Sequence, residues 1–467
     1  MLRVALGAGC ALLFLSQMVS AQGTQTVKGK LPVIVVPGLT GSELVNSKTK
    51  EIVWFNALRS KVDDIRLPVS PDIAANHDDL IATDILRTVK VGPVKIDGYQ
   101  GLITALQERG GYTEGNWDAP AATGYQDTCY VFYYDWRRDN VENARLLVRK
   151  VEELKRKLNR PDLKFDIVAH SMGGIVARYA AMYGDTDLPA GKAAPRPTWA
   201  GARDFNEIIL LGVPNEGAAA AFGSLLNGFA IGGLQVNLPF LQNPSKFDVF
   251  TLPSAYQLLP DANTLQAFDE NLKPVKIDLY DPQTWTKYGW GALEDKDFDK
   301  SFSPAEKAGA RAYFINALNR AKRLYQALDA SSSAKLPVAM DVLGGDCKDT
   351  LDSIVIYRDG KTGAWKTLFK PEAFTRSDGT RVSADEMRKV MYAPGDSVVT
   401  KRSLTAATIS QRSGVASIFF PRSTSFLCEI HNRQQTNDDI QDKIIALLAN
   451  GGLAGNTNSR YISVTTN

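Results

Sequence analysis

The chain has 467 residues, 44% of them hydrophobic and 22% charged, with a formal net charge of +3. This is ordinary globular composition, and the length allows a sizeable core. The near-balanced charge, with no Lys/Arg-rich run and no zinc-finger spacing, argues against nucleic acid as a partner, and no internal repeat is present.

Residues 1–21 read as a signal peptide. Arg3 gives a charged start, Val4 to Val19 an apolar stretch, and Val19-Ser20-Ala21 a small-residue cleavage site. Glycines and short length set the stretch apart from a membrane anchor. Export to the periplasm or the exterior is the expectation. Residues 28–450 then read as one domain with insertions, and 451–467 as a flexible tail.

Lys30 to Val36 is a compact apolar strand broken by Pro37-Gly38. A turn after an early buried strand can aim backbone N–H groups at a developing negative oxygen, and Leu39 is the candidate donor. Residues 42–95 read as an insertion of mixed polarity. Within it the Trp54-Phe55 pair is the insertion's own small core or a lipid-contacting tip, the former being the simpler reading. Leu102, Ile103, Ala105 and Leu106 mark a helix within 98–109, and Thr128 to Tyr134 a strand. Val141, Ala144, Val148, Val151, Leu154 and Leu158 mark one face of a long amphipathic helix.

Asp166 to Ala177 reads as a short apolar strand, an abrupt turn at Ser171 and a small-residue helix start. This is the pattern of a nucleophile elbow, in which a serine sits on a strained strand-to-helix turn. Ala169 and Gly173 supply the small side chains that the close strand–helix approach requires. The N–H of Met172 is the second candidate oxyanion donor. Strand, helix, strand and helix in alternation predict an α/β fold with a mainly parallel sheet.

Glu207 to Leu211 is a further buried strand. From Ala218 to Ser245 no residue is charged. Gly228, Gly232-Gly233, Asn237 and Pro239 break this apolar run, so a lid over an apolar cleft, residues 218–250, fits better than a membrane span, with a buried core segment as the plainer alternative. Phe222, Phe229, Leu234 and Phe240, together with Trp54, are its candidate substrate contacts. Residues 261–335 read as an inserted cap, with a capping box at Ser303-Pro304-Ala305-Glu306 opening a helix to about Ala330. Core strands are expected at Pro337–Leu343, Ser353–Tyr357 and Val415–Phe420. A closing helix should run from Asp438 to Ala449.

Serine needs an adjacent imidazole to take its proton. The chain has three histidines. His77 precedes the elbow, and His170 adjoins the serine on the strained turn and should face elsewhere, which leaves His431. Among the acids between Ser171 and His431, Asp396 follows a short strand through Pro394-Gly395 and precedes Val398-Val399. Asp359 also follows a strand, although its glycine-rich surroundings read as a hairpin turn. Asp396 is preferred. Of the cysteines left after residue 21, Cys347 and Cys428 are the expected bridge, because both lie near active-site segments, and Cys129 is the odd one.

Five strings resemble the lecithin:cholesterol acyltransferase family of α/β-hydrolases, which includes lysosomal-type phospholipases and bacterial acyl hydrolases. They are Pro32 to Gly38 with Gly41-Ser42-Glu43-Leu44; Tyr134-Asp135-Trp136-Arg137; Ala169 to Gly174; Pro253-Ser254-Ala255-Tyr256-Gln257-Leu258-Leu259-Pro260; and Gly395 to Val399. The second and fourth strings are the specific ones. The resemblance implies Ser171, Asp396 and His431 as triad, Leu39 and Met172 as oxyanion donors, a lid after Gly217, and a membrane-contacting subdomain after Leu44. Asp135 and Arg137 would form a structural ion pair. Leu39-Thr40 departs from the family's more polar Asp-Leu turn, and the 261–335 segment is unusually long.

The expected activity is acyl hydrolysis or O-acyl transfer on a lipid ester, a phospholipid by preference, at a membrane or micelle surface and without metal or cofactor. The alternatives are an esterase or lipase acting on other esters and, less favoured, a catalytically silent lipid-binding module.

Overall fold

The computed structural model describes residues 29–56, 65–91, 94–191, 193–229, 243–261, 263–330, 336–408, 419 and 421–451. The signal-peptide reading, the tail beyond 451, and the Val415–Phe420 strand apart from Phe419 fall outside these residues.

Seven strands form the central sheet: β1 (Val33–Val36), β2 (Thr113–Glu114), β3 (Thr128–Val131), β4 (Phe165–His170), β5 (Phe205–Leu211), β6 (Ala339–Gly344) and β7 (Ser423–Phe426). Their spatial order is β7-β6-β5-β4-β1-β3-β2, and every pairing is parallel. A parallel sheet is covered on both faces, so its inner strands are largely apolar and buried. β1 and β4 are buried at every position.

The period of two sends alternate residues to opposite layers. Val33 and Val35 join Leu102, Ile103 and Leu106 of α1 (Gln100–Glu108) and Ile440, Ile444 and Leu448 of α5 (Asp438–Gly451). Ile34 and Val36 join the other layer, with α2 (Asn140–Lys157) and α3 (Met172–Tyr183). α2 is capped by Asp139, whose carboxylate accepts from the N–H groups of Val141 and Glu142, and it ends on Lys155-Arg156-Lys157. Both ends therefore suit the helix dipole.

One expectation needs correction. Ser353–Arg358 is not a strand of the core sheet. It belongs to a separate four-stranded sheet with Gln266–Phe268, Pro274–Val275 and Trp365–Leu368. The last described strand of the core is Ser423–Phe426, an edge strand bonded through Asp341–Gly344. The capping box expected in the 261–335 segment is present and opens α4 (Pro304–Leu328), which packs on α3: Tyr183 Oη donates to Ala327 O at 2.9 Å and Arg178 Nη2 to Leu328 O at 3.0 Å.

Candidate active site

Ser171 stands between the end of β4 and the first residue of α3, with φ 53° and ψ −127°. A side-chain-bearing residue with positive φ is costly, and such strain is tolerated where surrounding structure fixes it. Here the Ser171 N–H donates to Leu211 O at 2.8 Å. A Cβ on Gly173 would lie 2.4 Å from Pro37 O and 2.6 Å from Val36 O, so only glycine lets α3 start this close to β1.

His431 opens a short helical turn, His431–Thr436, after β7. Its Nε2 lies 2.8 Å from Ser171 Oγ and its Nδ1 lies 2.8 Å from Asp396 Oδ2. A carboxylate only accepts, so Nδ1 carries the proton and the Nε2 lone pair faces the serine. Asp396 follows the strand Tyr392–Gly395. Its Oδ1 accepts from the N–H groups of Val398 (3.0 Å) and Val399 (2.7 Å). Burial alone would raise the Asp396 carboxyl, but the His431 charge, the His431 hydrogen bond and the two backbone donors outweigh it and hold the group below the ordinary range.

Gln434, fully buried, donates from Nε2 to Asp396 Oδ2 at 2.7 Å. Sequence reasoning missed this residue, although its place three residues after His431 on the same turn was a usable signal. The bridge between Cys347 and Cys428 is present, with the Cα atoms 5.3 Å apart, and Cys129 is a free buried thiol. The bridge ties the approach to His431 to the loop after β6. Asp359 is elsewhere: it caps the hairpin turn before Trp365–Leu368, accepting from the N–H groups of Lys361 at 3.0 Å and Thr362 at 2.8 Å. His77 sits against Arg138.

His170 does not turn away from the site as expected. Its Nδ1 meets Tyr99 Oη at 2.8 Å, and its ring centroid is 5.0 Å from that of His431. Burial foremost, with the His431 charge adding, pushes His170 down to about 3.

A cavity of about 310 Å³ opens at Ser171 and His431. Leu39, Trp54 and Phe229 line it. Met172, the other oxyanion candidate, is the first residue of α3, where helix N–H groups have no intrahelical partner. Trp54 is buried rather than a protruding tip; its Nε1 donates to Thr40 O at 2.9 Å and its ring packs on Trp136. Phe222 is also displaced from its expected role. It is wholly buried among Trp285, Trp290 and Phe369 and does not line the cavity. Leu234 and Phe240 lie outside the described residues. The described part of the 218–250 segment does border the cavity, through Ala218, Ala221, Ser224 and Val249.

The Tyr134-Asp135-Trp136-Arg137 string welds the first turn to the 42–95 insertion. Tyr134 Oη donates to Pro37 O at 2.7 Å and Trp136 Nε1 to Ser42 O at 3.2 Å. Arg137 is fully buried and ion-paired to Asp78 at 2.6 Å and Asp135 at 2.7 Å.

The family model for lecithin:cholesterol acyltransferase matches residues 118–295. That span holds both of the specific strings and the elbow, so the resemblance read from the sequence is shown there. No curated protein sequence matches the chain. Among solved structures, a chain from the crystal structure of the Tle4–Tli4 complex aligns with a TM-score of 0.56 at 14% identity, covering 91% of this chain and 99% of that one. Bacillus licheniformis lipase BlEst2 in its mature form aligns at 0.35 and 13% identity, over 90% and 92%. Phospholipase PlaB from Legionella pneumophila aligns at 0.23 and 17% identity, over 55% and 42%. The first of these, with the sheet described above, gives the fold as that of an α/β-hydrolase.

Proposed function

From a chain with an α/β-hydrolase fold and a lecithin:cholesterol acyltransferase-type segment over residues 118–295, we propose a serine acyl hydrolase and O-acyltransferase acting on lipid esters, phospholipids by preference. The observation that carries this reading is the hydrogen-bonded line Ser171–His431–Asp396 opening into a largely apolar cavity of about 310 Å³.

In this reading His431 Nε2 takes the Ser171 proton as Oγ attacks the ester carbonyl. The N–H groups of Leu39 and Met172 receive the oxyanion; removing one such donor costs about 3–4 kcal/mol of barrier in other enzymes. His431 returns the proton to the departing alcohol, leaving an acyl-serine. Water or a second alcohol, deprotonated by His431, then takes the acyl group and restores Ser171. Asp396 holds the Nδ1–H tautomer and stabilises the imidazolium without being protonated itself.

A peripheral lipid surface is the proposed setting. The large exposed apolar residues among those described are Ile52 and Ile81, and both pair with Val45 across the three-stranded sheet of the insertion. No described helix is long and apolar enough to cross a membrane. Export is proposed with it, from the 1–21 segment and from the Cys347–Cys428 bridge, which suits an oxidising compartment.

One observation favours the second reading, a lipase or esterase acting on uncharged esters: no Lys, Arg, Asp or Glu is among the described residues lining the cavity. Incubation with phosphatidylcholine vesicles or triacylglycerol emulsions, with and without a long-chain alcohol, separates the two by product. Ser171→Ala should abolish turnover and fluorophosphonate labelling together. Full turnover by that variant would remove the serine mechanism.

A further inference from the structure

A hydrogen-bonded chain that the acyl-transfer steps do not use runs beneath the elbow. Tyr99, buried at the start of α1, places its hydroxyl 2.8 Å from the Gly38 nitrogen and 2.8 Å from His170 Nδ1. On the far side of the ring, His170 Nε2 lies 3.3 Å from the carbonyl oxygen of His431.

The ends of this chain fix its direction. The Gly38 N–H only donates and the His431 carbonyl only accepts. A neutral imidazole has one N–H. Placed on Nδ1, that proton would leave the Nε2 lone pair against a carbonyl oxygen. The consistent arrangement is Gly38 N–H to Tyr99 oxygen, Tyr99 O–H to His170 Nδ1, and His170 Nε2–H to His431 O.

Both ends reach the reacting groups through the backbone. Gly38 immediately precedes Leu39, and a Cβ on Gly38 would lie 2.8 Å from Ser171 Cβ, so this turn presses against the nucleophile. At the other end, the His431 N–H already donates to Asp396 O at 2.8 Å. The His170 bond holds the opposite side of the same residue.

We propose that Tyr99 and His170 are positioning residues for acyl transfer: their strap holds the Leu39 N–H and the His431 ring in register on either side of Ser171. The inference rests on reading Ser171 as nucleophile and His431 as base. Tyr99 does not line the cavity, whereas His170 does, so loss of the Tyr99 hydroxyl should fall on kcat and spare KM.

The test uses p-nitrophenyl octanoate, with rates normalised to sites titrated by a fluorophosphonate so that misfolded protein is not counted. Tyr99→Phe should lower kcat at least tenfold with KM within twofold. His170→Phe, which keeps a ring but no nitrogen, should also lower kcat at least tenfold. His170→Gln, which can again donate towards the His431 carbonyl, should recover at least threefold of that loss. Tyr112→Phe is the control, since the Tyr112 hydroxyl is buried with no hydrogen-bond partner, and it should leave kcat unchanged.

Tyr99→Phe within twofold of wild type in kcat, while Ser171→Ala is inactive, overturns the strap and leaves the triad standing. A Ser171→Ala variant with full turnover overturns the triad reading and the strap with it. Should His170→Phe yield no titratable protein, Tyr99→Phe, which loses a single oxygen, decides alone.

Discussion

Asp396→Asn is the sharpest test of the site, because the structure says how it should fail. Four donors converge on this carboxylate: the N–H groups of Val398 and Val399 on Oδ1, and His431 Nδ1–H with Gln434 Nε2–H on Oδ2. Asparagine has one acceptor oxygen. If that oxygen keeps the two backbone donors, the amide NH₂ faces His431 Nδ1 and Gln434 Nε2, donor against donor. The imidazole relieves the clash by carrying its proton on Nε2, where it can no longer accept from Ser171. The same tautomer error costs about 10⁴ in kcat in a serine protease, or about 5.5 kcal/mol of barrier. KM should hold, since Asp396 does not line the cavity. Asp359→Asn, in a partly exposed hairpin turn, should stay within twofold. Steady-state kinetics on p-nitrophenyl octanoate read both. An Asp396→Asn enzyme within tenfold of wild type, or an Asp359→Asn enzyme as damaged, refutes the assignment.

The same residue predicts an acid limb in stability. Asp396 is held below its ordinary range in the folded state, so the unfolded chain binds its proton first as pH falls. The contribution is fully present above the unfolded value of about 3.9 and is lost as pH drops through the folded one. Thermal melts should show a steeper loss below about pH 4 for wild type than for Asp396→Asn. Parallel curves would refute that sign.

Other outcomes follow from features outside the triad. Replacing both Cys347 and Cys428 by serine opens a link spanning 81 residues; stability should drop by about 2–4 kcal/mol in urea titration, and added reductant should then change nothing further. Ile52→Ser with Ile81→Ser should slow hydrolysis of vesicle lipid while leaving a soluble ester's kcat intact, and equal losses on both substrates would count against a surface-binding role. Burial, with Asp341 and Asp166 adding, pushes Glu207 up to about 8 against the pull of Arg422. A raised carboxyl binds its proton in the folded state first, so stability should fall as pH rises from about 4.3 to about 8; Glu207→Gln should flatten that slope in melts across the window.

Much of the fold was legible because buried parallel strands and capped helices leave local marks. β1 is an uninterrupted apolar run, β4 carries Ile167-Val168-Ala169 at its centre, and α4 announces itself through Ser303-Pro304 with Glu306. The failures came where a neighbour decides. The last described core strand, Ser423-Thr424-Ser425-Phe426, carries no apolar run to mark it: it is half-exposed at the sheet edge, where Ser423 Oγ donates to Asp341 and hydroxyls suffice. Ser353–Arg358 is as apolar as a core strand, yet Gln266–Phe268 pairs with it parallel and draws it into another sheet. Phe222 has the expected apolar character but faces Trp285 and Trp290, which lie more than sixty residues on in the sequence.

At the site the division is chemical. Proton transfer from serine tolerates few side chains, and the chain holds three histidines, so His431 emerges by elimination. The structure then sets it 2.8 Å from Ser171 Oγ. Support is less demanding: holding a carboxylate or a backbone carbonyl needs only a donor. Gln434 supplies an amide to Asp396, and Tyr99 supplies a hydroxyl to His170 from 71 residues away. Serine, asparagine or a backbone N–H could meet either need on another chain, so residue type carries little information about these roles. Position carries it instead, and position is settled by which elements pack together: α1 against the elbow's underside for Tyr99, and the turn after β7 for Gln434. The side chains that react can therefore be sought in a sequence by their chemistry, whereas those that align them emerge only with the folded neighbourhood.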